Sequence, residues 1–292
     1  MKDYIIRAID KNKSIRIFVA RTTDMVQKIR DLHKSSATAS AAMGRLATMA
    51  SFMGIDQKVE SLKLTLKLDG NGVGGKIIAV ADHTGNVRVT ASNPRADLPA
   101  KSNGKLDVAG FVGTEGSIGI IKDYGLKEPY TGISEIISGE IAEDFANYFF
   151  YSEQTPSIIS LGVLVDTDLS IKAAGGLFVQ VLPNISDDDL TGLEKKVGEL
   201  LPISELISNN LTPEEILEKY FSEFEPEVLS KIDVKYECNC SRERFEEGLI
   251  SLGKNELQQI ADEDGKADII CEFCRKEYSF NKEDLEKLIK SI

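Results

Sequence analysis

Leu62-Lys63-Leu64-Thr65-Leu66-Lys67-Leu68-Asp69-Gly70-Asn71-Gly72-Val73-Gly74-Gly75-Lys76-Ile77-Ile78-Ala79-Val80 is the stretch that decides between a nucleotide-binding fold and an antiparallel one. Up to Leu68 every second residue is Leu, alternating with polar residues, which is the period of a strand with one face buried. The glycines that follow satisfy the G-x-G-x-x-G spacing of a dinucleotide-binding turn. That spacing carries its usual meaning only when a helix opens directly afterwards, because the helix N-terminus is what meets the pyrophosphate. Lys76 to Val80 is instead a strand sequence. The stretch therefore predicts a glycine-rich hairpin, and His83-Thr84-Gly85-Asn86 returns the chain into Val87 to Ala91, extending the hairpin into an antiparallel meander.

Upstream, Tyr4 to Asp10 and Ser14 to Ala20 flank the polar turn Lys11-Asn12-Lys13 as a second hairpin. Helical stretches follow from Thr23 to His33 and from Thr38 to Met53. In the latter, Ala39, Ala42, Met43, Leu46, Ala50 and Met53 recur at near-helical spacing among small residues, so it reads as a buried helix. Downstream, Ile136, Ile137, Ile141, Phe145, Tyr148 and Phe149 mark an amphipathic helix. Apolar strands lie beyond Pro156, at Ile158 to Val165 and Leu177 to Leu182, punctuated by Asp166-Thr167-Asp168 and Gly175-Gly176. The acidic residues are dispersed and no Ser-His-Asp grouping is present, so no catalytic residue is assigned. His33 and His83 read as ordinary surface or boundary residues.

From about Pro183 to Ser230 the character changes. Ser186 precedes three aspartates and then Leu190, Leu193, Val197, Leu200 and Leu201, the pattern of a capped helix with one apolar stripe. Thr212-Pro213-Glu214-Glu215 is a cleaner start signal, with Thr212 as N-cap, Pro213 at N1 and Glu215 completing a capping box ahead of Ile216, Leu217, Tyr220, Phe221 and Phe224. Short helices of this kind are marginal without docking. The segment fits a conditional linker and a permanently packed helical hairpin equally.

All the cysteines lie in the last fifth of the chain, as Cys238-Asn239-Cys240 and Cys271-Glu272-Phe273-Cys274. Four thiolates satisfy tetrahedral Zn²⁺ with no position left for water or substrate, so Cys238, Cys240, Cys271 and Cys274 are the candidate ligands of a structural site holding one zinc per chain in the reduced state. The single spacer of the first pair is shorter than the usual C-x(2–4)-C. The N-terminal residues alternate charged and apolar types without an apolar h-region, which points to the cytoplasm, where thiols stay reduced.

The length of 292 residues suggests about two domains. A net charge of −12 argues against a nucleic-acid partner, whose phosphates demand a basic patch. The longest weakly polar run, Ser35 to Gly54, carries Arg45 and is too polar to span a bilayer, so no membrane association is expected. The fold class is α+β: a mixed α/β core with antiparallel sheet over residues 1–182, a helical linker over 183–230 and a small zinc-binding domain over 231–292.

In this order of parts the chain resembles the heat shock protein 33 family, the redox-regulated holdases also called 33 kDa chaperonins. The resemblance runs through Ser36-Ala37-Thr38-Ala39-Ser40-Ala41-Ala42-Met43-Gly44-Arg45, Lys122-Asp123-Tyr124-Gly125-Leu126-Lys127-Glu128-Pro129-Tyr130-Thr131-Gly132, Ser138-Gly139-Glu140-Ile141-Ala142-Glu143-Asp144, Glu153-Gln154-Thr155-Pro156-Ser157 and Ala173-Ala174-Gly175-Gly176, and ends in the C-x-C and C-x-x-C pairs. The cysteine spacing is highly specific, whereas the linker is matched by position and character. The resemblance implies an ATP-independent chaperone for unfolding client proteins, not an enzyme, activated when oxidation ejects zinc, with a homodimer in the activated state. It also implies the oxidised pairs Cys238–Cys240 and Cys271–Cys274, which adjacency in sequence suggests too. Residues i and i+2 of an extended chain lie about 6.6–7.2 Å apart, beyond the roughly 5.5–6 Å most common across a disulfide, so the first bond needs a local bend. Two other readings stand beside this one: a constitutive zinc-ribbon module for a protein or nucleic-acid partner, and an enzyme using the Gly70 loop for a nucleotide.

Overall fold

A computed structural model of the chain describes residues 2–57 and 59–292. Contacts divide it into two compact units, one reaching to Glu237 and one spanning Cys238–Ile292. The first unit begins with the expected hairpin, β1 (Tyr4–Ile9) and β2 (Ile15–Arg21), closed by Asp10, whose carboxylate accepts from the Ser14 and Ile15 amides at 2.7 and 2.6 Å. Helices α1 (Thr23–His33) and α2 (Ala37–Asp56) follow. The meander comes next as β3 (Lys63–Gly70), β4 (Ile77–Asp82) and β5 (Val87–Ala91). Then come the short α3 (Val108–Val112), β6 (Gly116–Asp123), β7 (Tyr130–Glu135), α4 (Ala142–Tyr151), β8 (Ser157–Val165) and β9 (Ile171–Val181). Helices α5 (Asp187–Gly198), α6 (Ile203–Ser208) and α7 (Pro213–Phe221) lead to β10 (Glu227–Asp233).

Two five-stranded antiparallel sheets result, ordered β10-β1-β2-β9-β8 and β5-β4-β3-β6-β7. Helix α2 runs between them, against β3, β4 and β5 on one side and β8 and β9 on the other. A helix enclosed on both sides must be apolar or small all round, and Ala39, Ala42, Met43, Leu46, Ala47, Ala50 and Phe52 are fully buried. Gly44 is where α1 and β8 come closest, since a Cβ there would stand 2.7 Å from Val26 Cγ1 and 2.9 Å from Val163 Cγ2.

The β3–β4 loop settles the glycine-rich stretch. The amides of Asn71, Gly72 and Gly74 donate to the carbonyls of Glu115, Val112 and Phe111 at 2.9, 3.2 and 2.9 Å, so the donors a phosphate would need are spent within the fold. The Phe111 ring also lies where a side chain at Gly74 would be, with Cε1 at 2.3 Å.

Three expectations change. Helix α4 begins at Ala142 rather than near Ile136, because the buried Asp144 carboxylate gathers the amides of Ile137, Ser138, Gly139 and Ile141 at 2.7–3.2 Å and holds that segment in a turn. Gly175-Gly176 does not punctuate a strand but lies inside β9, where the interior glycines admit close neighbours. His33 is buried in α1 at 3% exposure, not a surface residue.

The sequence sets the start of the C-terminal module at residue 231, whereas β10 pairs along β1 from Tyr4↔Asp233 to Ile9↔Glu227 and Val234 N donates to Asp3 O at 3.2 Å. Residues 231–237 accordingly share contacts with the first unit. The second unit comprises α8 (Arg242–Ser251), α9 (Lys254–Glu263), the hairpin β11 (Lys266–Ile270) and β12 (Glu277–Asn281), and α10 (Lys282–Lys290), around Leu257, Phe280 and Leu285. Among the described residues no helix is long and apolar enough to cross a membrane.

Candidate metal centre

The turn between β11 and β12 carries Cys271 and Cys274. Cys271 N donates to Lys276 O at 2.9 Å and Arg275 N donates to Cys271 O at 2.8 Å, while Arg275 takes a positive φ of 61° to close the turn. That tight wrap brings two thiols three residues apart to one side. Cys238 and Cys240 come from the irregular chain after β10. Tyr278, its ring tilted against Phe245 with centroids 4.8 Å apart, holds the second of them: its hydroxyl donates to Cys240 O at 3.1 Å and lies 3.2 Å from Cys240 Sγ. Arg244 fixes the spacer by donating to Asn239 O and Oδ1 at 3.3 and 3.1 Å.

The four Sγ atoms of Cys238, Cys240, Cys271 and Cys274 all lie within 4.8 Å of one another, with Cys238···Cys271 at 3.8 Å and Cys240···Cys274 at 3.3 Å. Zinc bound tetrahedrally at about 2.3 Å from each sulfur separates the sulfurs by about 3.8 Å, so the cluster has the dimensions and the soft donors for that ion. Among the described residues no other such convergence of His, Cys, Asp or Glu occurs, and neither histidine belongs to it. Burial pushes the thiols of Cys238 and Cys274 up. Burial also acts to raise Cys240, but hydrogen bonds from Tyr278 and the neighbouring thiols outweigh it and hold Cys240 at about 7. A site that admits one such thiolate at neutral pH is ready for a cation.

A covered apolar face lies in the first unit. The face of the β10-β1-β2-β9-β8 sheet away from α2 presents Ile6, Ile15, Ile17, Val19, Leu177 and Val179, all fully buried. Their cover is the helical segment the sequence left open between linker and fixed hairpin: Leu193 of α5, Ile203 and Leu206 of α6, and Ile216, Leu217, Tyr220 and Phe221 of α7. Helix α6 sits directly on glycines of the sheet. A Cβ at Gly162 would be 2.8 Å from Ser204 N, and one at Gly175 would be 2.3 Å from Ile207 Cδ1.

Thr212 and Glu215 form the expected capping box of α7, with Glu215 N donating to Thr212 Oγ1 at 3.2 Å and Thr212 N to Glu215 Oε2 at 2.8 Å. Unforeseen from sequence is a clasp across three elements. Tyr4 Oη of β1 donates to Glu214 Oε2 of α7 at 2.5 Å, Lys231 Nζ of β10 donates to Glu214 Oε1 at 2.8 Å, and Lys231 lies 3.8 Å from the Tyr4 ring centre. Partners 210 and 17 residues apart have no local signal, and only the strand pairing of β1 with β10 makes them neighbours.

Comparison with known proteins places this geometry. The family model described as "Hsp33 protein" matches residues 3–281. The "33 kDa chaperonin" of Alkaliphilus oremlandii is 48% identical over 100% of this chain and 98% of its own length. That of Bacillus subtilis is 44% identical over 98% of each. The crystal structure of the 33 kDa chaperonin (heat shock protein 33 homolog) of Thermotoga maritima superimposes with a TM-score of 0.91 at 33% identity, covering 100% of this chain and 99% of that one.

Proposed function

The chain belongs to the Hsp33 protein family, and from that membership we infer that it is a redox-regulated, ATP-independent chaperone that binds unfolding proteins and keeps them from aggregating. The observation that carries the reading is the pairing of a closed four-thiol cluster with an apolar sheet face covered by short helices. Cys238, Cys240, Cys271 and Cys274 would hold one Zn²⁺ in the reduced state, and that ion would tie the β11–β12 turn to the segment before α8 and supply folding free energy to the small second unit. Nothing in this role calls for a catalytic residue.

Peroxide switches the state through the thiols. One thiolate attacks peroxide to give a sulfenic acid and hydroxide; a second thiolate displaces hydroxide from that sulfur, so two electrons pass from the cysteine pair to the oxidant and a disulfide forms. A disulfide sulfur is a poor ligand, and a cluster that has lost two thiolates no longer closes. The pairs Cys238–Cys240 and Cys271–Cys274 are the proposed bonds. All four Sγ atoms lie close enough that cross-pairing is the alternative, and peptide mapping of the oxidised protein decides between them.

Release of the second unit's order then loosens residues 183–230, and their departure bares the apolar sheet face to clients. The proposed organisation is thus a core over residues 1–182, a conditional linker over 183–230 and a redox module over 231–292, whose first seven residues share contacts with the first unit. The activated form is proposed as a homodimer acting in the cytoplasm, with no nucleic-acid or membrane partner. The test is light scattering from a heat-unfolded client without nucleotide, with metal release followed in parallel. Suppression by peroxide-treated but not reduced protein supports the reading. Equal suppression by both forms, or partner binding insensitive to oxidant, refutes it and favours a constitutive binding module.

A further inference from the structure

An extended strand edge is a row of unpaired amides and carbonyls that invites another chain, and folds ordinarily block it. This fold blocks its edges unequally. The start of the β5 edge is occupied by the chain itself, Val87 N donating to Lys235 O at 3.1 Å and Glu237 N to Val87 O at 2.9 Å. The β10 edge carries Lys231 and faces a register break between Arg7 and Ala8, and the β8 edge has a break between Leu164 and Val165. The β7 edge has none of these devices. Tyr130-Thr131-Gly132-Ile133-Ser134-Glu135 contains no lysine or proline, pairs with β6 in unbroken register, and ends its sheet.

Apolar side chains at and beside that edge are also uncovered. Ile133 is 72% exposed, and Tyr130, Leu126 before the strand and Ile137 after it are exposed as well. Helix α4 lies alongside, with Asn147 Nδ2 donating to Ser134 Oγ at 3.5 Å, and one turn further along the helix Tyr151 is 72% exposed.

We propose that the β7 edge is a client-docking site that takes an extended apolar segment of an unfolding polypeptide as a sixth strand of the β5-β4-β3-β6-β7 sheet. The inference rests on the chaperone reading and adds a second site to it, on a different sheet from the face the linker covers. An unfolding chain offers unpaired main-chain groups and alternating apolar side chains. Strand addition satisfies both: the main chain supplies affinity without regard to sequence, and Ile133, on one face of the sheet, meets the apolar residues of the incoming strand. At the opposite edge this sheet already takes one further main-chain pairing, at Val87. No part of residues 183–230 lies in this sheet, so docking at this edge is common to both redox states, and suppression of aggregation still requires the face that oxidation uncovers.

The experiment uses the full chain, reduced and oxidised, with a peptide of alternating Val and Thr and the same peptide N-methylated at every residue. Amide exchange across Tyr130–Glu135 is expected to slow by about tenfold or more with the first peptide and not with the second, which lacks the donors for pairing. Ile133→Lys, at an exposed position, should weaken peptide binding by a similar factor while metal content and α7 protection stay unchanged. Binding indifferent to both N-methylation and Ile133→Lys overturns the site. So does protection of β7 that grows with protein concentration in the absence of peptide, which makes it an edge between copies of this chain. Anti-aggregation by the same oxidised sample separates the two levels: activity without β7 protection overturns the docking site alone, whereas absence of activity overturns the chaperone reading and the site with it.

Discussion

Removing the Thr212 hydroxyl tests whether linker order sets the threshold of activation. In Thr212→Ala the Glu215 amide loses its acceptor at 3.2 Å, and Glu215 Oε2 loses the Thr212 hydroxyl at 2.8 Å while keeping the Thr212 amide at 2.8 Å. Loss of an N-cap costs about 0.5–2 kcal/mol, which raises the open population of α7 by a factor of about 2–30. The four cysteines are untouched. Hydrogen exchange of the α7 amides in reduced protein reads the local opening, and the peroxide dose for half-maximal suppression of client aggregation reads the threshold. Protection of the α7 amides and the peroxide dose should fall together. Phe221→Ala should move them further, since truncating a side chain 1% exposed in the covered face costs about 3–5 kcal/mol. The coupling is refuted if α7 amides exchange faster in either variant and the peroxide dose stays where it was.

The remaining predictions follow from single contacts. Cys271→Ser should abolish stoichiometric zinc binding and unfold the second unit, read by metal analysis and by exchange of the β12 amides; full-affinity zinc in that variant would sink the four-cysteine site. Glu214→Gln should weaken the clasp to Tyr4 and Lys231 by about 1 kcal/mol at low ionic strength and by less in high salt, as expected of partly exposed charges, seen as salt-sensitive melting and a lower activation threshold. Asp3 is held up at about 6 from the ordinary 3.8, chiefly by burial, against the lowering effect of the Met25 and Asp24 amides and Arg21. A raised folded-state value means that its favourable contribution is complete below about pH 4 and is lost as the pH rises through 6. That rise corresponds to about 3 kcal/mol, so the stability of the wild type relative to Asp3→Asn should decline from pH 4 to pH 7 in denaturant titrations, and a pH-independent difference would refute the assignment.

The signals the sequence carried were local ones. Strict alternation in Leu62 to Leu68 named a half-buried strand, Lys76 to Val80 after the glycines ruled for a hairpin, and Thr212 to Glu215 marked a helix start, because each is a bond or a period spanning only a few residues. The cysteine pairs named a metal site for the same reason: ligand type and number are written in the residues themselves. What no short window could decide was which distant segments become neighbours. Ile137 looks helical by period, yet the amides of Ile137 to Gly139 and Ile141 are drawn onto Asp144 instead. Gly175-Gly176 looks like a break until α6 is seen resting on Gly175. Residues 183–230 carry apolar stripes compatible with a free or a docked state, and docking was settled by the complementary face that β1, β2 and β9 assemble from three separate parts of the chain. Composition, caps and ligands are properties of residues, legible one at a time, whereas covered faces, open edges and clasps are properties of pairs that only closure of the chain brings together.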